Sequence, residues 1–238
     1  MKREAALLQL TNKKEYQKNL DDIKKYINSL PKEAIIVAPE VCLTDYDYDN
    51  LNKAAEFSEY AIKELCSLID KQILALTLIR KIDNFFVNEA VVIHNRTIVH
   101  RQKKHKLFKL GNEDKYLKAG DGSDINIFTI DGIKFGLLIC FELRYKELWQ
   151  KLEGADIIML PSQWGLPRKR HLEILSNGLA VMNQCFVLTA NSKKETMAAS
   201  SGIYSPMGGV NINDASECIR GEIDLKEVKL MRRYIKVF

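Results

Sequence analysis

Short apolar runs alternate with longer stretches in which apolar residues recur every three or four positions. Residues 5–10 (AALLQL) read as a strand. In residues 13–30, Tyr16, Leu20, Ile23, Tyr26 and Ile27 share one face of a predicted helix, which Pro31 closes. Residues 34–40 (AIIVAPE) form an unbroken apolar run, the signature of a strand buried on both faces. Residues 46–72 read as mostly helix. Strands follow over 73–81 and 85–102, with Asn95-Arg96 as a hairpin turn, and over 124–140 around an Asp131-Gly132 turn. Residues 142–154 read as a helix ended by Gly154, 155–162 as a strand, 168–184 as a helix and 185–192 as a strand. Two short closing strands are expected at Gly202–Tyr204 and Cys218–Asp224. Alternating strand and helix with interspersed hairpins predicts an α/β chain built on a mixed, centrally buried sheet, with residues 1–238 as one domain.

Composition changes this picture little. With 238 residues, 46% hydrophobic and 28% charged, the chain is long enough to bury a core without staples. The net charge of +5 is spread along the chain. Its densest basic stretch, His100–Lys109, holds one aromatic residue where a nucleic-acid stacking platform needs several. No nucleic-acid partner is expected. Five cysteines, an odd number with no Cys-x-x-Cys pair, fit neither a disulfide framework nor a zinc knuckle, and free thiols suit the cytoplasm. The apolar run at the start is too short for a signal peptide, and none is long enough for a membrane span.

Ligands of open α/β sheets bind beyond the carboxyl ends of the strands. Three such ends carry unusual residues: Glu40 after AIIVAP, Cys140 after FGLLI, and Pro161-Ser162-Gln163-Trp164 after DIIML. A thiol at the start of a helix feels the positive dipole end, which favours the nucleophilic thiolate. Cys140 is set apart from the other four cysteines by the charged residues that follow it at once. A carboxylate placed directly after a central strand is shielded from water, which suits a general base. A lysine from the basic stretch would supply a fixed positive charge for an oxyanion. A cysteine–histidine hydrolase is the competing reading, with His171 as its base. No histidine lies at a strand end beside an acid that the sequence makes visible.

These pieces, in the order APE, HKLF and ICFELRYKEL, resemble the nitrilase, or carbon–nitrogen hydrolase, superfamily, and the resemblance runs nearly the full chain. It implies an α-β-β-α sandwich of mixed sheets covered by helices, a Glu-Lys-Cys triad and hydrolysis through a thioester without metal or cofactor. Carried over, Glu40 is the base and Cys140 the nucleophile. The family's lysine motif is usually Lys-x-His-Leu-Phe. Alignment on Leu107-Phe108 selects Lys104, whereas alignment on His105 selects Lys103. The first register also keeps Glu113 and Gly120 at family spacing. Glu113 then matches a second acid near the lysine, and the Phe141 N–H an oxyanion donor. Residues 160–175 resemble amidase branches that act on small carboxylate-bearing amides, including the omega-amidase type. Trp164 and Arg168 are the candidates for substrate contact, Arg168 through a bidentate pair with a carboxylate. The implied partners are a small amide or ureido substrate and further copies of the chain, as a homodimer or larger oligomer. Alternatives are a nitrile hydrolase and an inactive binding or assembly homologue. Phe141-Glu142 stands where the family often has Tyr-Asp or Tyr-Glu, and Lys106 and Met182 are further departures.

Overall fold

The structure, a computed structural model, describes residues 1–237. Two six-stranded sheets lie face to face. The first joins β1 (Lys2–Leu8), β2 (Ile35–Val37), β3 (Ile73–Ile82), β4 (Phe85–His94), β5 (Thr97–Lys103) and β12 (Cys218–Asp224), in the order β12-β1-β2-β3-β4-β5. The second joins β6 (Phe128–Ile130), β7 (Ile133–Leu137), β8 (Ile157–Pro161), β9 (Phe186–Ala190), β10 (Gly202–Tyr204) and β11 (Val210–Ile212), in the order β11-β10-β9-β8-β7-β6. In each sheet the central pairs are parallel and the outer ones antiparallel.

Period-two side-chain alternation divides each inner strand between two cores. Ala5, Leu7, Ile35, Val37, Ile73 and Ala75 face the second sheet and join its Phe135, Leu137, Ile157 and Met159. The intervening Ala6, Leu8, Ile36, Leu74 and Leu76 face outward. There they meet Leu20, Ile23 and Ile27 of α1 (Tyr16–Ser29) and Ala61, Ile62 and Leu65 of α2 (Leu51–Leu68). Both faces are dry, which explains why residues 34–38 carry no polar side chain. Truncating a side chain such as Ile36, fully buried, to alanine should cost about 2–5 kcal/mol. On the outer face of the second sheet lie α4 (Lys146–Lys151) and α5 (Lys169–Met182), after the short α3 (Glu113–Tyr116). α5 buries Leu172, Ser176, Leu179 and Ala180 at helical spacing.

The architecture is the α-β-β-α sandwich. Hydrophobic patterning alone suggested one buried sheet, because a strand buried on both faces looks the same whether helices or a second sheet cover it. The helix expected over 142–154 is not continuous. A 3₁₀ turn spans Cys140–Arg144, Tyr145 is extended, and α4 follows. β11 and a final helix, α6 (Lys226–Tyr234), were not foreseen. Among the described residues no helix is long and apolar enough to cross a membrane.

Candidate active site

β2, β5 and β7 end on the same edge of the sandwich, and their last turns carry Glu40, Lys104 and Cys140. The backbone around them is forced. Val41, directly after Glu40, has φ 47°, and Cys140 has φ 50°. Left-handed backbone is unfavourable for any residue with a Cβ and most of all for a β-branched one. Such outliers cost about 1–3 kcal/mol each and gather at functional sites. At Cys140 the bend swings the side chain out of the strand direction, which is why the apolar run stops at a thiol. At Val41 it is held by Thr77, whose hydroxyl accepts the Val41 N–H at 2.8 Å. The Glu40 N–H donates to the Ser162 carbonyl at 3.1 Å and so ties the end of β2 to the end of β8 in the other sheet.

Lys104 is fully buried, Glu40 is 1% exposed and Cys140 is 7% exposed. The lysine Nζ donates to Glu40 Oε1 and to Glu113 Oε1, both at 2.7 Å, and lies 3.4 Å from the Tyr46 hydroxyl. Lys103, its neighbour on a two-residue period, points away toward Asp124 at 4.0 Å and is 42% exposed. The structure thus brings Lys104 to Glu40, and Lys103 nowhere near it. Gly120 helps seat this strand end. A Cβ there would come within 2.8 Å of the Lys103 Cβ, and its N–H donates to the Lys104 carbonyl. Glu113 also accepts the Phe108 N–H at 3.0 Å and the Tyr46 hydroxyl at 2.9 Å. Asn88 completes the cluster. Its amide donates to Glu40 Oε1 at 2.8 Å and to the Tyr46 hydroxyl at 3.0 Å.

Burial works against charge on Lys104. The negative charges of Glu40 and Glu113 outweigh it and lift the lysine above its ordinary range. It is therefore ammonium at any physiological pH. The thiol behaves in the opposite way. Burial and the Glu40 carboxylate push Cys140 well above a free cysteine, and Lys104 and the Gln163 N–H, 3.4 Å from Sγ, only partly offset them. The expectation of a dipole-favoured thiolate is therefore corrected. No long helix begins at Cys140, and desolvation exceeds what one turn can supply. Burial and the Glu40 carboxylate both favour the neutral thiol.

A small open pocket lies over the sulfur, lined by Phe108, Phe141, Gln163, Trp164, Arg144 and Arg168. Trp164 and Arg168, expected from the sequence, are both in its wall. Arg144 was missed as a pocket residue. Arg144 stacks on the Trp164 ring (4.7 Å to the centroid) and donates to His171 Nδ1 at 2.9 Å. Arg168 lies over Phe108 at 5.1 Å. Among the described residues neither guanidinium has a carboxylate partner, so the wall carries two uncompensated positive charges. His171 serves Arg144 and has no contact with the thiol. Asn88 and Tyr46 were also missed. Each looks like an ordinary strand or loop polar residue, and nothing local marks its partner dozens of positions away. Among the described residues no cluster of histidine, cysteine and acidic side chains could hold a metal ion.

A buried carboxylate, a buried ammonium and a bent-out thiol have the chemistry that acyl transfer needs. Known proteins carry the same frame. The 2-oxoglutaramate amidase of Bacillus subtilis (strain 168) is 31% identical over 240 residues, covering 94% of this chain and 92% of that one. The structure of Nit3 from Saccharomyces cerevisiae, a member of branch 10 of the nitrilase superfamily, superposes with a TM-score of 0.86. It is 21% identical and covers 99% of this chain and 95% of that one. The amidase from Nesterenkonia sp. AN1, solved with an acetamide moiety added to its active-site cysteine, gives 0.84 at 18% identity, covering 98% and 97%. Residues 4–233 match the carbon–nitrogen hydrolase family, and the chain belongs to it.

Proposed function

We propose that the chain, acting as one unit over residues 1–238, is an amidase that hydrolyses small carboxylate-bearing amides through a Cys140 thioester. The observation that carries this reading is the pocket itself: a neutral thiol beside a buried Glu40–Lys104 pair, facing two guanidiniums that lack acidic partners. Glu40 Oε1 is occupied by Lys104 and Asn88, which leaves Oε2 to take the thiol proton. The thiolate attacks the amide carbon, and the carbonyl electrons move to oxygen. Lys104 Nζ and the Phe141 N–H stabilise that oxyanion. When the intermediate collapses, the C–N bond breaks and ammonia leaves with the proton from Glu40. A water then attacks the thioester while Glu40 takes its proton, and the acid is released as the thiol is restored. Glu113 holds Lys104 in line and balances its charge. Arg168, with Arg144 beside it, pairs with the substrate carboxylate, while Trp164 and Phe108 cover the short chain between. The Bacillus relative is a 2-oxoglutaramate amidase, and 2-oxoglutaramate is a small carboxylate-bearing amide.

The reading includes a cytoplasmic location, suited to five free cysteines, and a homodimer. Support for pairing comes from the exposed Ile174, Val181, Met182 and Val210 around a cleft formed by α5 and β11. The test is ammonia release from a panel of small amides with and without a carboxylate, ureido compounds and nitriles, with Cys140→Ala as the blank. Turnover confined to carboxylate-bearing amides is expected. Preference for nitriles or for neutral amides would overturn the substrate assignment, and turnover by the Cys140→Ala protein would overturn the mechanism.

A further inference from the structure

Glu142 has no place in the chemistry above, yet it is a carboxylate with no exposure at all. Its two oxygens reach into two different loops. Oε2 accepts the Ile139 N–H at 2.8 Å, one residue before Cys140. Oε1 accepts the His105 N–H at 2.6 Å, one residue after Lys104. The Gln102 amide, 3.5 Å from Oε2, also donates to the Leu137 carbonyl at 3.2 Å, so the ends of β5 and β7 meet on this one side chain. β5 belongs to the first sheet and β7 to the second. Buried carboxylates are rare unless their oxygens are fully engaged, and the two shortest contacts of this one are to backbone that carries the lysine and the nucleophile.

We propose that ionised Glu142 is a positioning residue that fixes the separation of Lys104 and Cys140 by clamping the loop behind each. The inference rests on the Glu-Lys-Cys reading given above. Both contacts are N–H donors, so the clamp needs two acceptor oxygens. A protonated carboxyl keeps one acceptor and turns an O–H donor toward the other N–H, which cannot accept it. Burial raises Glu142 to about 7, opposed by its backbone hydrogen bonds from Ile139 and His105 and by Lys104. The clamp therefore opens as pH falls through that value. The charged and titratable groups around it are Lys104, His105 and Lys106 from the β5 end and Cys140 and Arg144 from its own turn. Glu40 and Glu113 lie behind Lys104. His105 is engaged with the Gly120 carbonyl, Lys106 with Glu147 and Arg144 with His171. Glu142→Gln copies the protonated form permanently, since its amide also offers one acceptor and one donor group.

The test follows alkylation of Cys140 by iodoacetamide in the intact protein, by mass spectrometry across neutral pH, alongside kcat and KM for the best amide. In the wild type the logarithm of the rate should fall about one unit per pH unit more steeply below pH 7 than above it. Glu142→Gln should react about 10- to 100-fold more slowly above pH 7 and lack that break, with kcat reduced and KM kept, because the pocket wall is untouched. A role confined to stability would lower the melting temperature and move none of these. A purely electrostatic role predicts faster alkylation, because a negative charge near the sulfur has gone. An equal or faster rate in Glu142→Gln, or a break that persists, overturns the proposal. Should that variant not fold, Glu142→Asp keeps the charge but spans only one loop, and a wild-type rate from it is equally fatal. If wild-type Cys140 reacts no faster than the other cysteines, the Glu-Lys-Cys reading itself fails, and the clamp with it.

Discussion

Replacing Lys104 by methionine removes the charge and keeps most of the volume. The wild-type Nζ lies 2.7 Å from an oxygen of Glu40 and 2.7 Å from an oxygen of Glu113, with no solvent contact. The variant therefore leaves two carboxylates in a dry site with no countercharge. Breaking a buried pair from one side costs about 3–5 kcal/mol. Burial already holds Glu113 above its ordinary carboxylate value with Lys104 opposing it, and loss of the lysine raises it further. Between those values the folded variant holds a proton that the unfolded chain has lost, so its stability falls as pH rises. The deficit against wild type should thus be large at pH about 8 and smaller at pH about 5.5. Catalysis suffers separately. Loss of one oxyanion donor costs about 10²–10³ in kcat, and displacement of Glu40 adds to it. Urea unfolding at both pH values, with ammonia release per folded enzyme, measures the two effects. Lys103→Ala is the comparison and should change neither. Near-wild-type turnover in Lys104→Met, equal damage from Lys103→Ala, or a deficit independent of pH would refute the reasoning.

Glu40→Gln keeps the shape and most hydrogen bonds but removes the base proposed for both acylation and deacylation. Turnover should fall at least ~10⁴-fold, the upper end for one general base, while a reactive ester still traps a thioester visible by mass; rapid multiple turnover of that ester would exclude Glu40 as the base. Arg168→Met removes a charge-assisted pair worth about 1.5–3 kcal/mol. It should raise KM for carboxylate-bearing amides ~10- to 100-fold and leave neutral amides unaffected; equal losses on both would remove Arg168 from substrate recognition. Glu142, at about 7 in the folded chain against 4.5 unfolded, retains a proton when folded between those values. Wild-type stability should therefore drop by about 3 kcal/mol as pH rises across that window, and unfolding curves of Glu142→Gln should lack this slope; parallel pH profiles would show that Glu142 titrates normally.

The parts of this site that could be read from sequence are those that interrupt a strong pattern. Glu40 ends an apolar run that has no other reason to stop at an acid, and Cys140 ends another. Choosing Lys104 over Lys103 depended on Leu107-Phe108, and alternation carried past the end of β5 gives the physical reason: adjacent residues there face opposite sides, so one of the pair is buried and the other solvated. Residues whose role depends on a distant partner left no such mark. Asn88 sits in β4 like a solvent-facing polar residue, and only the fold sets it against Glu40, forty-eight positions away. Arg144 read as part of a surface helix because the break at Tyr145 was invisible. The second sheet was likewise hidden from periodicity, since buried runs do not say what buries them.

The division of the site between two sheets bears on how the protein comes of age. Glu40, Lys104 and Glu113 belong to the first sheet or its loops, and Cys140, Gln163 and Trp164 to the second. On the proposed mechanism neither half would be competent alone. A copy whose sheets have formed but not docked carries a base without a nucleophile and a thiol without a base. On the proposed mechanism, hydrolytic power would therefore arrive in a single step, at the closing of the central core, and half-made copies would be chemically silent toward the amides around them.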